Sequence, residues 1–166
     1  NYANFIGADM SGITESEFQI KGNPCGKARE FCLTVDDHMV NVNTYYDEIS
    51  GASNYKVPDS GSSYGAPMVS GGVALVKQAF PNHNPEQIVD RILASANNSW
   101  FTPVDNTTFT THGGSIEHGF HNTWGHGLPD FKAAMSPITS SSNPASITTG
   151  ETLNNAPLDG TTANSS

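Results

Sequence analysis

The chain has 166 residues, 36% of them hydrophobic and only 14% charged, with 16 Gly and 10 Pro. That composition suits a loop-rich globular fold and excludes a coiled coil, a long-helix protein or a disordered acidic tail. Seven Lys and Arg against 16 Asp and Glu leave a net charge of −9, without the clustered cations that nucleic-acid binding needs.

No run approaches the roughly 18 apolar residues of a membrane span, so the chain reads as soluble. It opens on Asn1 rather than Met, which reads as a removed leader or a piece of a longer chain. The stretch 4–12 reads as a short strand followed by a Gly-containing turn. Further short strands are expected over 31–35 and 38–42. The only two cysteines, Cys25 and Cys32, have six residues between them. They are too few for a four-ligand zinc site of the usual spacing, and they do not form Cys-x-x-Cys. Two readings stand: unrelated buried thiols, or a local disulfide across a tight loop. The disulfide would imply an oxidising compartment. From 43 to 60 no period emerges, and Gly, Ser, Asn and Pro predict a loop.

From Ala66 to Phe80 the only charge is Lys77, and apolar residues cover nearly the whole circumference. This predicts a helix buried inside a domain. Gly71 and Gly72 in its middle cost roughly 1 kcal/mol each relative to Ala, which implies close approach by a neighbour. A second helix has Asn84 as N-cap, Pro85 as its first residue and Gln87 placed to reach back. Its stripe is Ile88, Ile92, Leu93 and Ala96, with Glu86, Asp90 and Arg91 expected outward. His112, His118, His121 and His126 lie among Gly, Asn and Thr without helical spacing, and read as a solvated loop rather than a metal site. Asp36, Asp37 and Asp59 define no calcium ligand set. Asn97-Asn98-Ser99 and Asn106-Thr107-Thr108 are glycosylation sequons, meaningful only in a eukaryotic secretory route. A last short helix is expected over 130–135. Beyond it Ser, Thr, Asn, Pro and Gly dominate, so residues 1–135 read as the folded unit and 136–166 as a linker or tail.

The most informative stretch is Gly61-Ser62-Ser63-Tyr64-Gly65-Ala66-Pro67-Met68-Val69-Ser70-Gly71. It sets a Gly-lined turn before a helix whose first N–H groups have no internal partner and favour developing negative charge. A serine there can attack a carbonyl while backbone donors hold the oxyanion. The bland alternative is a Ser-rich cap on a core helix. Read as Gly-x-Ser-x-Gly, the segment also matches the nucleophile elbow of α/β-hydrolase esterases. That elbow needs a buried parallel strand running into it, and Ser53–Ser60 cannot be one.

The fuller stretch resembles the serine motif of subtilisin-like proteases, Gly-Thr/Ser-Ser-x-Ala/Ser/Gly-x-Pro-x-Val-x-Gly. Pro67 stands four residues after Ser63 and Gly71 four after that. Phe5-Ile6-Gly7-Ala8-Asp9 is similar to the family's Val-x-Val-Gly-Ala-x-Asp. Gly125-His126-Gly127-Leu128-Pro129-Asp130 with Ala133-Ala134 is similar to its closing motif and final helix. Asn23-Pro24-Cys25-Gly26 with Cys32 resembles bacterial secreted and autotransporter members. The chain departs from the family at Val35-Asp36-Asp37, where Ala-Pro-Gly is usual.

The resemblance implies an α/β fold: the C-terminal portion of a three-layer architecture with a mostly parallel sheet. It implies a serine endopeptidase acting on peptide or protein substrates, with Ser63 as nucleophile and Gly61, Ser62 and Tyr64 against the substrate. It also implies a Cys25–Cys32 pair, no catalytic cofactor (structural calcium is frequent in the family), and a secreted, periplasmic or cell-surface location. The family's chain order is Asp, His, then Ser. The acid, the base and an Asn oxyanion donor would therefore belong to an N-terminal remainder upstream of Asn1, and this stretch alone would be inactive. A non-catalytic fragment or pseudo-enzyme is the third reading.

Overall fold

The computed structural model describes residues 1–5, 13–36, 40–42, 45–46, 53–54, 57–59, 61–111, 115–136, 138–139 and 152–153. The turn expected after Phe5, His112, and most of the 136–166 tail lie outside these residues. Strand β1 (Tyr2–Phe5) is central to a three-stranded sheet, antiparallel to β2 (Phe18–Ile20) and parallel to β3 (Val35–Asp36). Strand and helix together bear out an α/β chain. The β1–β3 pairing is parallel, and the other strand pairings among the described residues are antiparallel.

Two local expectations need correction. The strand placed over 31–35 starts only at Val35, because Gly26–Phe31 is a 3-10 helix closed by a Cys25–Cys32 disulfide with Cα atoms 5.9 Å apart. The region 43–60, read as a loop, carries paired strands: β7 (Val57–Asp59) runs antiparallel to β4 (Val40–Val42), which lies within the strand expected over 38–42, and the two enclose a pair of β5 (Tyr45–Tyr46) and β6 (Ser53–Asn54). Segments of two or three residues are too short to show a period, so the sequence does not reveal them.

Helix α1 (Ser62–Ala79) is longer than predicted and is not buried all round. Gly65, Gly72, Val76 and Ala79 face inward, while Met68 and Leu75 are 46% and 52% exposed. Only one face has a partner among the described residues. That partner is α2 (Pro85–Ala94) with α3 (Phe131–Ala134), and Val76, Ala79, Phe80, Ile88, Ile92 and Ala134 form the shared core. The predicted cap of α2 is present: Gln87 N donates to Asn84 Oδ1 at 2.9 Å and Asn84 N to Gln87 Oε1 at 3.0 Å.

Arg91, expected outward, is fully buried. Its guanidinium stacks 4.0 Å from the Phe80 ring centre and donates to the Ala134 and Ser136 carbonyls at the end of α3. A planar guanidinium can stack and donate at once, so the apolar stem joins the core while its head closes a helix C-terminus. Burial lowers its pKa to about 10, still charged at neutral pH.

The histidine-rich stretch is likewise no solvated loop. Strands β8 (Asp105–Phe109) and β9 (Ile116–Phe120) form an antiparallel hairpin, with Phe109, Ile116, His118 and Phe120 buried. A second cluster packs Phe18, Trp100, Phe101, Trp124 and Leu128 around Ala3. The tail holds a further pairing of β10 (Ile138–Thr139) with β11 (Thr152–Leu153).

The two adjacent glycines of α1 separate cleanly. A Cβ on Gly72 would fall 1.9 Å from the Phe131 ring, whereas one on Gly71 meets nothing within 4 Å. Gly72→Ala is expected to destabilise by about 1–3 kcal/mol through overpacking. Gly71→Ala is expected to stabilise by up to about 1 kcal/mol through helix propensity. Chemical denaturation of the two variants checks this, and equal effects would refute the packing explanation.

Candidate active site

Ser63 sits in the first turn of α1, exposed, between exposed Ser62 and half-buried Tyr64. The Gly61 carbonyl receives the Tyr64 and Gly65 N–H groups at 2.8 and 3.3 Å. The N–H groups of Ser62 and Ser63 precede the helix ladder and point past its N-terminus. Eighteen residues of aligned peptide dipoles put the positive end of α1 at this spot. Ser63 Oγ has no hydrogen-bond partner among the described residues.

Two open clefts meet beside it. The first, about 430 Å³, runs between Phe31, Leu33 and Val35 on one side and Ser62, Ala66 and Val69 on the other. The second, about 460 Å³, is more polar and is lined by Tyr2, Lys21, Asn23 and Ser62. Ser62 belongs to both walls. The first cleft owes its outer wall to the disulfide: Cys25 and Cys32 close the 3-10 helix that presents Ala28 and Phe31.

That wall is held from behind by the turn after β9. Cys25 N donates to Thr123 O at 3.1 Å, Gly26 N to Asn122 O at 2.8 Å, and His126 N to Cys32 O at 2.8 Å. Thr34 N donates to Gly127 O at 2.9 Å and Thr34 Oγ1 to Trp124 O at 2.9 Å.

None of the described histidines pairs with Ser63. His83 stacks on Phe80, beyond the far end of a helix about 27 Å long. His121 packs near Phe101 and accepts from Thr123 N at 3.1 Å. His118 and His126 are fully buried with their Nδ1 atoms 2.9 Å apart. Burial pushes both below the ordinary histidine value, and the neighbouring His118 lowers His126 further. This buried pair escaped sequence reasoning. The alternation Ile116-x-His118-x-Phe120 was the signal that could have found it. No group of three or more His, Cys, Asp or Glu capable of holding a metal occurs among the described residues. Nor, among them, is any helix long and apolar enough to cross a membrane.

The model of the subtilase family, peptidase S8, matches residues 38–127. A 40-residue segment is 55% identical to Mycosin-1 of Mycolicibacterium smegmatis (strain ATCC 700084 / mc(2)155). That match covers 24% of this chain and 9% of the relative's length. No solved structure matches.

Closing a loop of this size is worth about 2–3 kcal/mol on the chain-entropy model. The Cys25→Ser/Cys32→Ser protein should therefore melt below the oxidised wild type, and the two should converge in reductant. Identical melting of both under oxidising conditions would count against this role.

Proposed function

The chain belongs to the subtilase family, and on that premise we propose that it carries the nucleophile of a serine endopeptidase, Ser63. The observation that carries the reading is an exposed, unpartnered hydroxyl at the positive end of a long helix, where two clefts meet. Ser63 Oγ attacks the carbonyl carbon of the scissile peptide bond, and the carbonyl oxygen becomes an oxyanion. The Ser63 N–H, aligned with the α1 dipole, is one donor to that oxyanion. Gly61 lets the substrate backbone approach, with Ser62 and Tyr64 flanking it. Proton transfer from Oγ needs an imidazole held by a carboxylate. We assign that pair, and the second oxyanion donor, to the N-terminal remainder of the catalytic domain, and so expect residues 1–166 alone to be inactive.

The half-exposed apolar face of α1, with Met68 and Leu75, supports such a remainder as its cover. The proposed whole is a three-layer α/β domain with a mostly parallel sheet, to which the β1–β3 pair would belong. We place the end of the domain at residue 135, with 136–166 as a linker or tail. The proposed chemistry draws on no cofactor. The disulfide supports a secreted, periplasmic or cell-surface location, where such bonds persist. The esterase reading gains no support from β7, which pairs antiparallel just before Ser63.

In the full-length protein, Ser63→Ala should reduce peptide hydrolysis and fluorophosphonate labelling to background while leaving the unfolding free energy within about 1 kcal/mol of wild type. Retained hydrolysis would sink the assignment. A folded wild-type protein that neither hydrolyses peptides nor takes the label would favour the pseudo-enzyme.

A further inference from the structure

The two clefts that meet at Ser62 differ in what lines them. One is walled mainly by apolar side chains, whereas the other takes in Tyr2, Lys21, Gly22, Asn23 and Ser62. Among the described residues, no Asp or Glu lines either cleft. Three of the chain's seven Lys and Arg lie within residues 21–29, a stretch with no acidic residue, although the net charge is −9. The approach to the nucleophile is thus locally basic on an acidic molecule.

Lys21 is carried on a fixed backbone. Phe18 anchors β2 in the aromatic cluster around Ala3, and the strand ends at Ile20. The N–H groups of Lys21 and Gly22 then both donate to the Tyr2 carbonyl, at 3.4 and 3.3 Å. A Cβ on Gly22 would fall 2.7 Å from the Tyr2 ring, so the ring lies against bare backbone there. The Lys21 side chain itself is exposed. Other cations are committed elsewhere: Arg29 to Asn122 Oδ1, Lys77 to the Pro81 and His83 carbonyls, and Arg91 to those of Ala134 and Ser136. Lys21 Nζ has no hydrogen-bond or ion-pair partner among the described residues.

We propose that the polar cleft selects peptides with a carboxylate close to the bond that Ser63 attacks, and that Lys21 is the specificity-determining residue that reads it. This deepens the endopeptidase reading and rests on it for the position of the bond. A cleft of about 460 Å³ is roughly 8 Å across, which an extended peptide crosses in about two or three residues. The carboxylate therefore lies within about three positions of the bond, on one side of it. A flexible ammonium supplies a point charge rather than a planar fork, so Asp, Glu and a chain-terminal carboxylate all fit. Asn23 and Ser62 add an amide and a hydroxyl donor to the same wall. At physiological salt the Debye length is about 8 Å, so remote acidic groups are screened while a carboxylate in the cleft is not. An ion pair open to solvent gives a modest gain, about three- to fivefold. Ground state and transition state hold the contact alike, so the gain falls in KM rather than kcat.

Amidated alanine-rich peptides, with one Glu, Gln or Lys walked through the positions on each side of the scissile bond, test this in the full-length protein. Glu should exceed Gln by about three- to fivefold in kcat/KM, in one window on one side, and the gain should disappear in about 1 M salt. Lys21→Glu should reverse the order, so that Lys outranks Glu. Lys27→Glu changes the net charge equally at an exposed residue that lines neither cleft, and should keep the wild-type order. A peptide whose own C-terminal carboxylate falls in the window, compared with its amide, tells a chain end from a side chain. A gain from either source supports the proposal. No gain from both, or equal effects of the two charge reversals, overturns it, and the wild-type ranking decides alone if a variant fails to fold. Fluorescence anisotropy of the same peptides on full-length Ser63→Ala protein, with and without Lys21→Glu, reads the preference without hydrolysis. A Lys21-dependent order of Kd with no turnover by wild type disproves the nucleophile and keeps the cleft; turnover with no such order does the reverse.

Discussion

The wall of the cleft beside Ser63 depends on a backbone approach that only glycine permits. Gly125 and Gly127 have φ of +59° and +96°, and a Cβ on either would fall 2.1 Å from a carbonyl oxygen, that of Cys32 or Asn97. Positive φ and absence of a side chain let the turn lie flat between two segments far apart in sequence. On one side it holds the disulfide segment through Cys25, Gly26, Cys32 and Thr34. On the other, Asn97 and Leu128 exchange hydrogen bonds of 2.7 and 3.0 Å. The buried histidines and Trp124 are carried on or beside that turn.

The same economy of contact fixes α1. Its inner face has no side chain at Gly72, so the Phe131 ring of α3 presses on the helix backbone itself. Arg91 then ties α2 to the end of α3 while stacking on Phe80, one residue past the last turn of α1. The C-terminal half of α1 is gripped, and its first turn projects toward the two clefts. A rigid helix that presents Ser63 from an anchored base fits the pre-organisation that the proposed nucleophilic role requires.

The interior and the surface are charged in opposite senses. Acidic side chains such as Glu15, Glu86, Asp105 and Asp130 are exposed, consistent with the net charge of −9. Three buried basic side chains aim nitrogen atoms at backbone carbonyls: Arg91 at Ala134 and Ser136, His118 at Ala96, His126 at Glu30. A carbonyl satisfies a donor without bringing a second charge into the core, which avoids the desolvation penalty of a buried ion pair.

Features that depend on neighbours in sequence were legible from sequence. The Asn84–Gln87 box, the Pro85 start and the inward stripe of Ile88 and Ile92 are local, and they stand as read. The string around Ser63 carried the family because its glycines and proline sit at fixed short offsets. Tertiary structure decided the rest. It turned Arg91 inward, buried His118 and His126, and left Met68 and Leu75 of α1 exposed, against the sequence expectation each time. Periodicity reports which residues share a face, but not which partner that face meets. A cation's direction depends on carbonyls more than forty residues away and on the Phe80 ring at the end of another helix, and the pairing of two histidines depends on a turn that two glycines flatten.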